Sequence, residues 1–316
     1  VRPVIFMNYG GQMRWRMRSG EVLDAELGTM LTKDLTAHAW RTALSPTGEW
    51  IPAVLRAADQ RLTQVRRAIP DAGGLVIATN QSVARAYAKI LTGITGKRPT
   101  VILSDDARAG GRIEEFAAGQ DRWMVAVRMV SEGVDVPRLA VGVYATSTST
   151  PLFFAQAVGR FVRSRRRGEV ATVFLPTVPI LLAHAATLER QRDHVLGRPR
   201  SGEIDIWAET EALIDAANRE ETASDDLLGE FEALESQATF DHVLFDSQAF
   251  GMHAEPTSQD ELDYLGLPGL LEPDQVSTLL AERQRRQLRR RERRDPKSQP
   301  EVPLHRALAN QRKELN

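Results

Sequence analysis

Five residues in two short segments have the types and spacing for nucleotide chemistry. Gln156, Arg160 and Arg163 recur at i, i+4 and i+7 in Gln156-Ala157-Val158-Gly159-Arg160-Phe161-Val162-Arg163, so a helix through this run puts them on one face. Two parallel guanidiniums on a rigid support suit a triphosphate, because the planar fork pairs with phosphate oxygens and offsets charge developing on a transferring phosphoryl group. Upstream lies Ser131-Glu132-Gly133-Val134-Asp135-Val136-Pro137. There Gly133 permits close backbone approach, Asp135 offers a carboxylate to a ribose hydroxyl, and Pro137 ends the loop. The competing reading of the arginines is a solvated basic helix end that continues into Arg165, Arg166 and Arg167.

The elements that must position these residues follow from periodicity. Thr150 and Pro151 read as a cap and a first helical residue, and residues 152–162 have helical spacing with Phe154, Val158 and Phe161 turned to packing. Apolar strand-like runs at residues 123–127 and 139–145 precede the two segments. From Gly73 onward the rhythm is strand then helix: strands at 75–78, 101–103 and 170–175 complete about five, with helices at 83–91 and 112–118 between. This alternation implies a parallel sheet with right-handed crossovers, whose functional loops gather at the carboxyl ends of the strands. Thr79-Asn80, Ser104-Asp105-Asp106 and the Gly133 loop all follow strand ends.

The order, distance and context of the two segments resemble motifs V and VI of superfamily 2 helicases and translocases, within the second RecA-like domain. The resemblance implies that Arg160 and Arg163 are arginine fingers and that Gln156 touches the γ-phosphate or its attacking water. It further implies that Glu132 and Gly133 belong to the loop coupling nucleic acid to nucleotide, and that Asp135 contacts the ribose. Thr79 and Asn80 occupy the position of motif IV, which contacts the nucleic-acid backbone in the family; a plain helix cap would look the same. Arg108 lies on the same expected rim. One departure is that many relatives carry an arginine where Ala157 stands. ATP and Mg²⁺ are the implied cofactors, held mainly by a first RecA-like domain whose phosphate loop and acidic box this sequence lacks.

Two segments imitate those missing motifs. Gly93-Ile94-Thr95-Gly96-Lys97-Arg98 is too short for a phosphate loop, has no Ser or Thr after the lysine, and follows a helix, so it reads as a turn. Asp260-Glu261-Leu262-Asp263 has no apolar strand before it.

Composition bounds the rest. No run approaches the ~18 apolar residues of a membrane span, and the first residues carry no signal-peptide pattern. With no cysteine, disulfides and thiolate metal sites are excluded, which fits a cytoplasmic protein. The six histidines lack ligand spacing. The net charge of -1 hides segregation, since residues 201–263 carry 18 acids against Arg219 alone. The remaining basic body suits a polyanion. Met13, Trp15 and Met17 alternate with Arg14, Arg16 and Arg18, which reads as a strand with one apolar and one basic face, solvated or facing phosphates. Residues 53–68 carry a helical apolar stripe. Residues 204–250 read as acidic and helix-prone. Residues 273–294 read as a helix ending in eight arginines, a nucleic-acid contact that includes Arg286 and Arg290, or else a solvated arm.

These expectations assemble into an α/β protein with a parallel-sheet RecA-like domain, a strand/helix lead-in and a mostly helical extension. The expected parts are residues 1–70 as lead-in from a missing first motor domain, 71–197 as the RecA-like domain, 198–270 as an acidic segment and 271–316 as a basic one. The expected function is the second half of an ATP-dependent motor on nucleic acid, DNA favoured over RNA, working with the N-terminal RecA-like domain of the same protein. Its alternative is a non-catalytic nucleic-acid-binding or adaptor module that kept the fold.

Overall fold

The structure is a computed structural model that describes residues 2–103, 106–127, 136–196 and 231–294. Its centre is a ten-stranded α/β sheet in which eight strands follow the order β10 (Gln248–Phe250), β9 (Thr239–Phe245), β1, β7, β6, β3, β5, β4, and two more pair with β1 off this path. Strands β3 (Gly73–Ala78), β4 (Thr100–Ile102), β5 (Trp123–Val127), β6 (Leu139–Ala145) and β7 (Ala171–Pro176) run parallel, as does the first half of β1 (Val4–Met17) against β7. Strands β3, β5, β6 and β7 are buried along their whole length, which explains why they read as continuous apolar runs without alternation. The parallel core and its crossover helices are the arrangement expected of a RecA-like domain.

Helices α2 (Trp50–Ala68) and α3 (Gln81–Thr95) lie side by side over one face. Helix α5 (Pro151–Gly159) covers the other, where Phe154 stacks on Phe6 of β1 at 6.3 Å. It adjoins α6 (Pro179–Leu196), while α4 (Ala109–Ala118) joins β4 to β5.

Strand β1 is one continuous strand, although residues 4–7 and 13–17 read from the sequence as two short ones. Beyond Tyr9 it leaves the parallel sheet and pairs antiparallel with β2 (Val22–Leu27) and β8 (Phe231–Ser236). The crossing point is Gly11, at φ +126°, where a Cβ would sit 1.9 Å from the Gln237 carbonyl; only glycine fits there. Helix α1 (Lys33–Ala43), absent from the sequence reading, covers the apolar side of this extension, with the ring of His38 stacked on Trp15 at 5.8 Å. The alternation of residues 13–17 is as read, with Met13 and Trp15 buried. The exposed arginines, however, lie opposite acids on both neighbouring strands: Arg14 is in register with Asp24 and Glu235, and Arg16 pairs with Glu232 at 2.8 Å. That face is an exposed mixed-charge surface, as the solvated reading expects.

The helix-prone reading of residues 231–250 is corrected. They form β8, β9 (Thr239–Phe245) and β10 (Gln248–Phe250), with Phe240, Val243, Phe245 and Phe250 buried. Pairing with β1 overrides the acidic composition, which scored as helix-compatible without reference to a partner strand. The β9–β10 turn is held by Glu189, whose carboxylate accepts the Asp246 and Ser247 N–H groups, both at 2.9 Å. Helix α7 (Gln259–Leu265) and helix α8 (Pro273–Arg294) complete eight helices among the described residues. None of the helices is long and apolar enough to cross a membrane.

Candidate functional site

Adjacent strands β6, β3 and β5 deliver their carboxyl ends to one rim. Thr79-Asn80 follows β3, the segment 128–135 follows β5, and Thr150 with α5 follows β6. Arg108 stands just before α4, beyond β4. Glu132, Gly133 and Asp135, with Ser104 and Asp105, lie outside the described residues.

Helix α5 starts as expected. The Thr150 side chain accepts the Phe153 N–H, Pro151 occupies the first turn, and Phe153, Phe154, Ala157 and Val158 are buried. Its end differs from the sequence reading. The helix stops at Gly159, Arg160 is the capping residue, and the Phe161 N–H closes a turn onto the Val158 carbonyl at 2.9 Å. The cause is packing on β6: Phe161 fills the space above Gly142, where a Cβ would come within 2.5 Å of the ring. The chain then extends, and the Val162 carbonyl accepts the Arg2 N–H at 2.7 Å. Arg160 is therefore half-buried at the helix end, while Arg163 is exposed beyond it; the shared helical face holds for Gln156 and Arg160 only. The Gln156 Oε1 atom is buried with no hydrogen-bond partner among the described residues.

A buried ion pair at the opposite, amino-terminal end of the sheet, just before β1 and β7, was not legible in the sequence, because its partners are 167 residues apart. Arg2 and Glu169, each 1% exposed, meet at 2.8 Å. Arg2 also donates to the carbonyls of Pro137 and Leu139, and Glu169 accepts the Arg165 N–H at 3.0 Å. One pair thus fixes the chain after residues 128–135 to the chain after Arg163. Burial lowers the pKa of Arg2, with Glu169 opposing. Arg165 in turn grips Asp71, and that hydrogen bond holds the Asp71 carboxyl below its ordinary value. Arg165 and Arg167, the latter on Glu272 at 2.8 Å, are paired rather than a bare basic tail.

Asn80 caps α3, its Oδ1 accepting from the Val83 N–H at 3.0 Å and the Ser82 hydroxyl at 2.8 Å. The plain cap reading accounts for that side-chain oxygen. Thr79 is half-buried beside it and the Arg108 side chain is exposed.

The basic helix is as read in extent, but its arginines divide. Arg290 donates to Asp260 at 3.1 Å and Asp263 at 2.8 Å, Arg283 lies 3.8 Å from Asp263, and Arg291 donates to the His253 carbonyl. The Asp260–Asp263 run that imitates an acidic box is thus the clamp that docks α8. Arg285, Arg286, Arg289, Arg293 and Arg294 are exposed and make no ion pair among the described residues. The helix packs beside β10, five strand positions from β3 or roughly 24 Å. Arg286 and Arg290 therefore do not join the rim at β3, β5 and β6. Among the described residues no cluster of three or more His, Cys, Asp or Glu could hold a metal ion.

No family model matches the chain. It is 55% identical over 291 residues to "Uncharacterized protein Rv2917" of Mycobacterium tuberculosis, covering 92% of this chain and 48% of that protein. It is 52% identical over the same length to "Uncharacterized protein ML1624" of Mycobacterium leprae. The chain spans about half the length of these curated relatives. Among solved structures it is similar to S. cerevisiae Dbp5 bound to RNA and ADP BeF3, at 13% identity and TM-score 0.34 over 52% of this chain and 42% of that one. Mss116p DEAD-box helicase domain 2 bound to an RNA duplex matches at 14% identity and TM-score 0.36, over 48% and 61%. T4 UvsW matches at 18% and 0.31, over 49% and 37%.

Proposed function

We propose that this chain is the second RecA-like half of an ATP-dependent superfamily 2 motor that acts on nucleic acid, DNA before RNA. The observation that carries the reading is that β3, β5 and β6 end side by side, with Thr79-Asn80 after β3 and the α5 helix of Gln156 and Arg160 after β6, while the sequence after β5 carries the motif V match. A loop rim of a parallel sheet is where such folds bind ligands. The donor set fits a triphosphate. Gln156 and Arg160 share a helical face, Arg163 follows, and the buried Gln156 oxygen has no partner among the described residues, which leaves it an acceptor for a water that closure of the site brings in. ATP would supply the transferable phosphoryl group and Mg²⁺ its charge partner, both held mainly by the other motor half. Arg160 then offsets charge on the phosphoryl oxygens while Gln156 orients water. The Arg2–Glu169 pair ties Pro137 and Leu139, at and after the end of the motif V match, to Arg165, which follows Arg163.

A non-catalytic adaptor is the second reading, favoured by the early end of α5, which leaves Arg163 off the rigid helix. Steady-state ATP turnover by the longer polypeptide, measured with and without single-stranded DNA, decides between them. Stimulated turnover that collapses in Arg160→Ala supports the motor; nucleic-acid binding with no turnover supports the adaptor.

A further inference from the structure

The Gly93–Arg98 run rejected as a phosphate loop borders a basic cleft on the opposite side of the sheet. A cavity of about 390 Å³ opens between the end of α2, the turn after α3 and the start of β5, lined by Arg66, Lys97, Arg98, Asp121, Arg122 and Trp123 among others. Its size falls in the range of small-ligand sites. It sits at the amino-terminal ends of β4 and β5, so the five-residue length of β5, roughly 16 Å, separates it from the carboxyl-end rim where Thr79 and Asn80 lie.

Two of its cations are preorganised. Arg66 donates to the carbonyls of Pro70 at 2.7 Å and Gln120 at 2.8 Å, and Arg122 is held by Asp59 at 2.7 Å. The other two stand at the mouth. Gly96, at φ +70°, turns the chain out of α3 and presents Lys97 and Arg98, both exposed and without an ion pair among the described residues. Asp121 is the one carboxylate in the lining. The carboxyl ends of α2 and α3 add about half a negative charge each, which leaves the site positive even with Asp59 counted. Burial and then the nearby Arg122 lower the pKa of Arg66, with Asp71, Asp59 and Asp121 opposing, so Arg66 and Arg122 carry a mutual repulsion. An anion seated between the four cations relieves it.

We propose that this cleft is an anion site that takes the phosphate groups of a ligand, either a small phosphorylated molecule or a nucleic-acid backbone. The proposal does not rest on the motor reading.

The test is Lys97→Gln/Arg98→Gln in this chain, changes at exposed side chains that leave the melting temperature unaltered. Inorganic pyrophosphate is titrated by calorimetry, and a labelled dT12 oligonucleotide by fluorescence anisotropy over a salt series. The double variant should lose about tenfold in affinity for pyrophosphate. A parallel loss for dT12, with the slope of log K against log salt flattened by about 1.4, identifies a backbone as the source; a loss for pyrophosphate alone identifies a small ligand, and a loss for dT12 alone a backbone. The difference between wild type and variant should persist in an Arg160→Ala background, which separates this cleft from the motif rim. Unchanged affinity for both probes, or no binding of either by wild type, overturns the proposal.

Discussion

Arg160 and Arg163 differ in support, and that difference makes the residue-scale prediction sharp. Arg160 caps α5 and shares its face with Gln156, whereas Arg163 depends on the extended strand that Arg2 pins. In the longer polypeptide, Arg160→Ala should cut kcat for ATP by about 10³-fold with nucleic-acid affinity retained, and lysine should not restore it because the planar fork is lost. Wild-type turnover in either variant refutes the finger assignment. A second residue carries a pH signature. Burial raises the pKa of Glu261 above its ordinary 4.5, with hydrogen bonds from the Tyr9 hydroxyl and the Thr257 N–H opposing. A raised native pKa means that the folded chain binds more protons than the unfolded one as pH climbs past 4.5, so this group's stabilising contribution is lost through that window. Glu261→Gln removes the titration. The unfolding free energy of wild type minus variant should therefore fall as pH rises from about 4 to 7 in denaturant titrations; a flat or rising difference contradicts it.

At the scale of elements, α7 and α8 act as one unit. Acids on α7 neutralise the inward arginines of α8, and Gln287 bridges the Tyr264 hydroxyl and the Met252 carbonyl from a fully buried position. The arginines that reach solvent are Arg285, Arg286, Arg289, Arg293 and Arg294, of which Arg285, Arg286 and Arg289 form the row beside the clamp. If that row meets phosphates, the triple glutamine variant should flatten the slope of log K against log salt by about 0.7 to 0.9 for each phosphate that it no longer neutralises, with the melting temperature unchanged. Arg290→Gln should do the reverse. It leaves Asp263 short of its half-buried partner, costing on the order of 1–2 kcal/mol by thermal or chemical denaturation, while the salt slope holds. An unaltered slope in the triple variant makes the helix a solvated strut.

For the whole molecule, β1 and β9 sit in the same sheet as the parallel core, β1 pairing with β7 from Val4 to Tyr9 and with β9 from Phe6 to Gly10. If Arg160 and Arg163 are fingers, the chain alone should hydrolyse ATP at background rate, with or without DNA, since its sequence carries no phosphate-loop motif beside them. Robust turnover by this chain, abolished by Arg163→Ala, would sink the half-motor reading. The sequence by itself determined the parallel α/β core, because buried strands and amphipathic helices carry local periodicities of their own. It likewise determined the cap at Thr150 and the extent of α8, each set by neighbouring residues, whereas residues 93–95, read as part of a turn, are the last turn of α3. Tertiary structure alone decided the rest. The end of α5 depends on the space Gly142 leaves for Phe161, the strands of 231–245 on the edges of β1, and the division of the α8 arginines on acids 20 to 30 residues upstream. Arg2 and Glu169 find each other only because β1 and β7 lie side by side. Those outcomes turn on long-range packing and pairing, which no local pattern of residue types encodes.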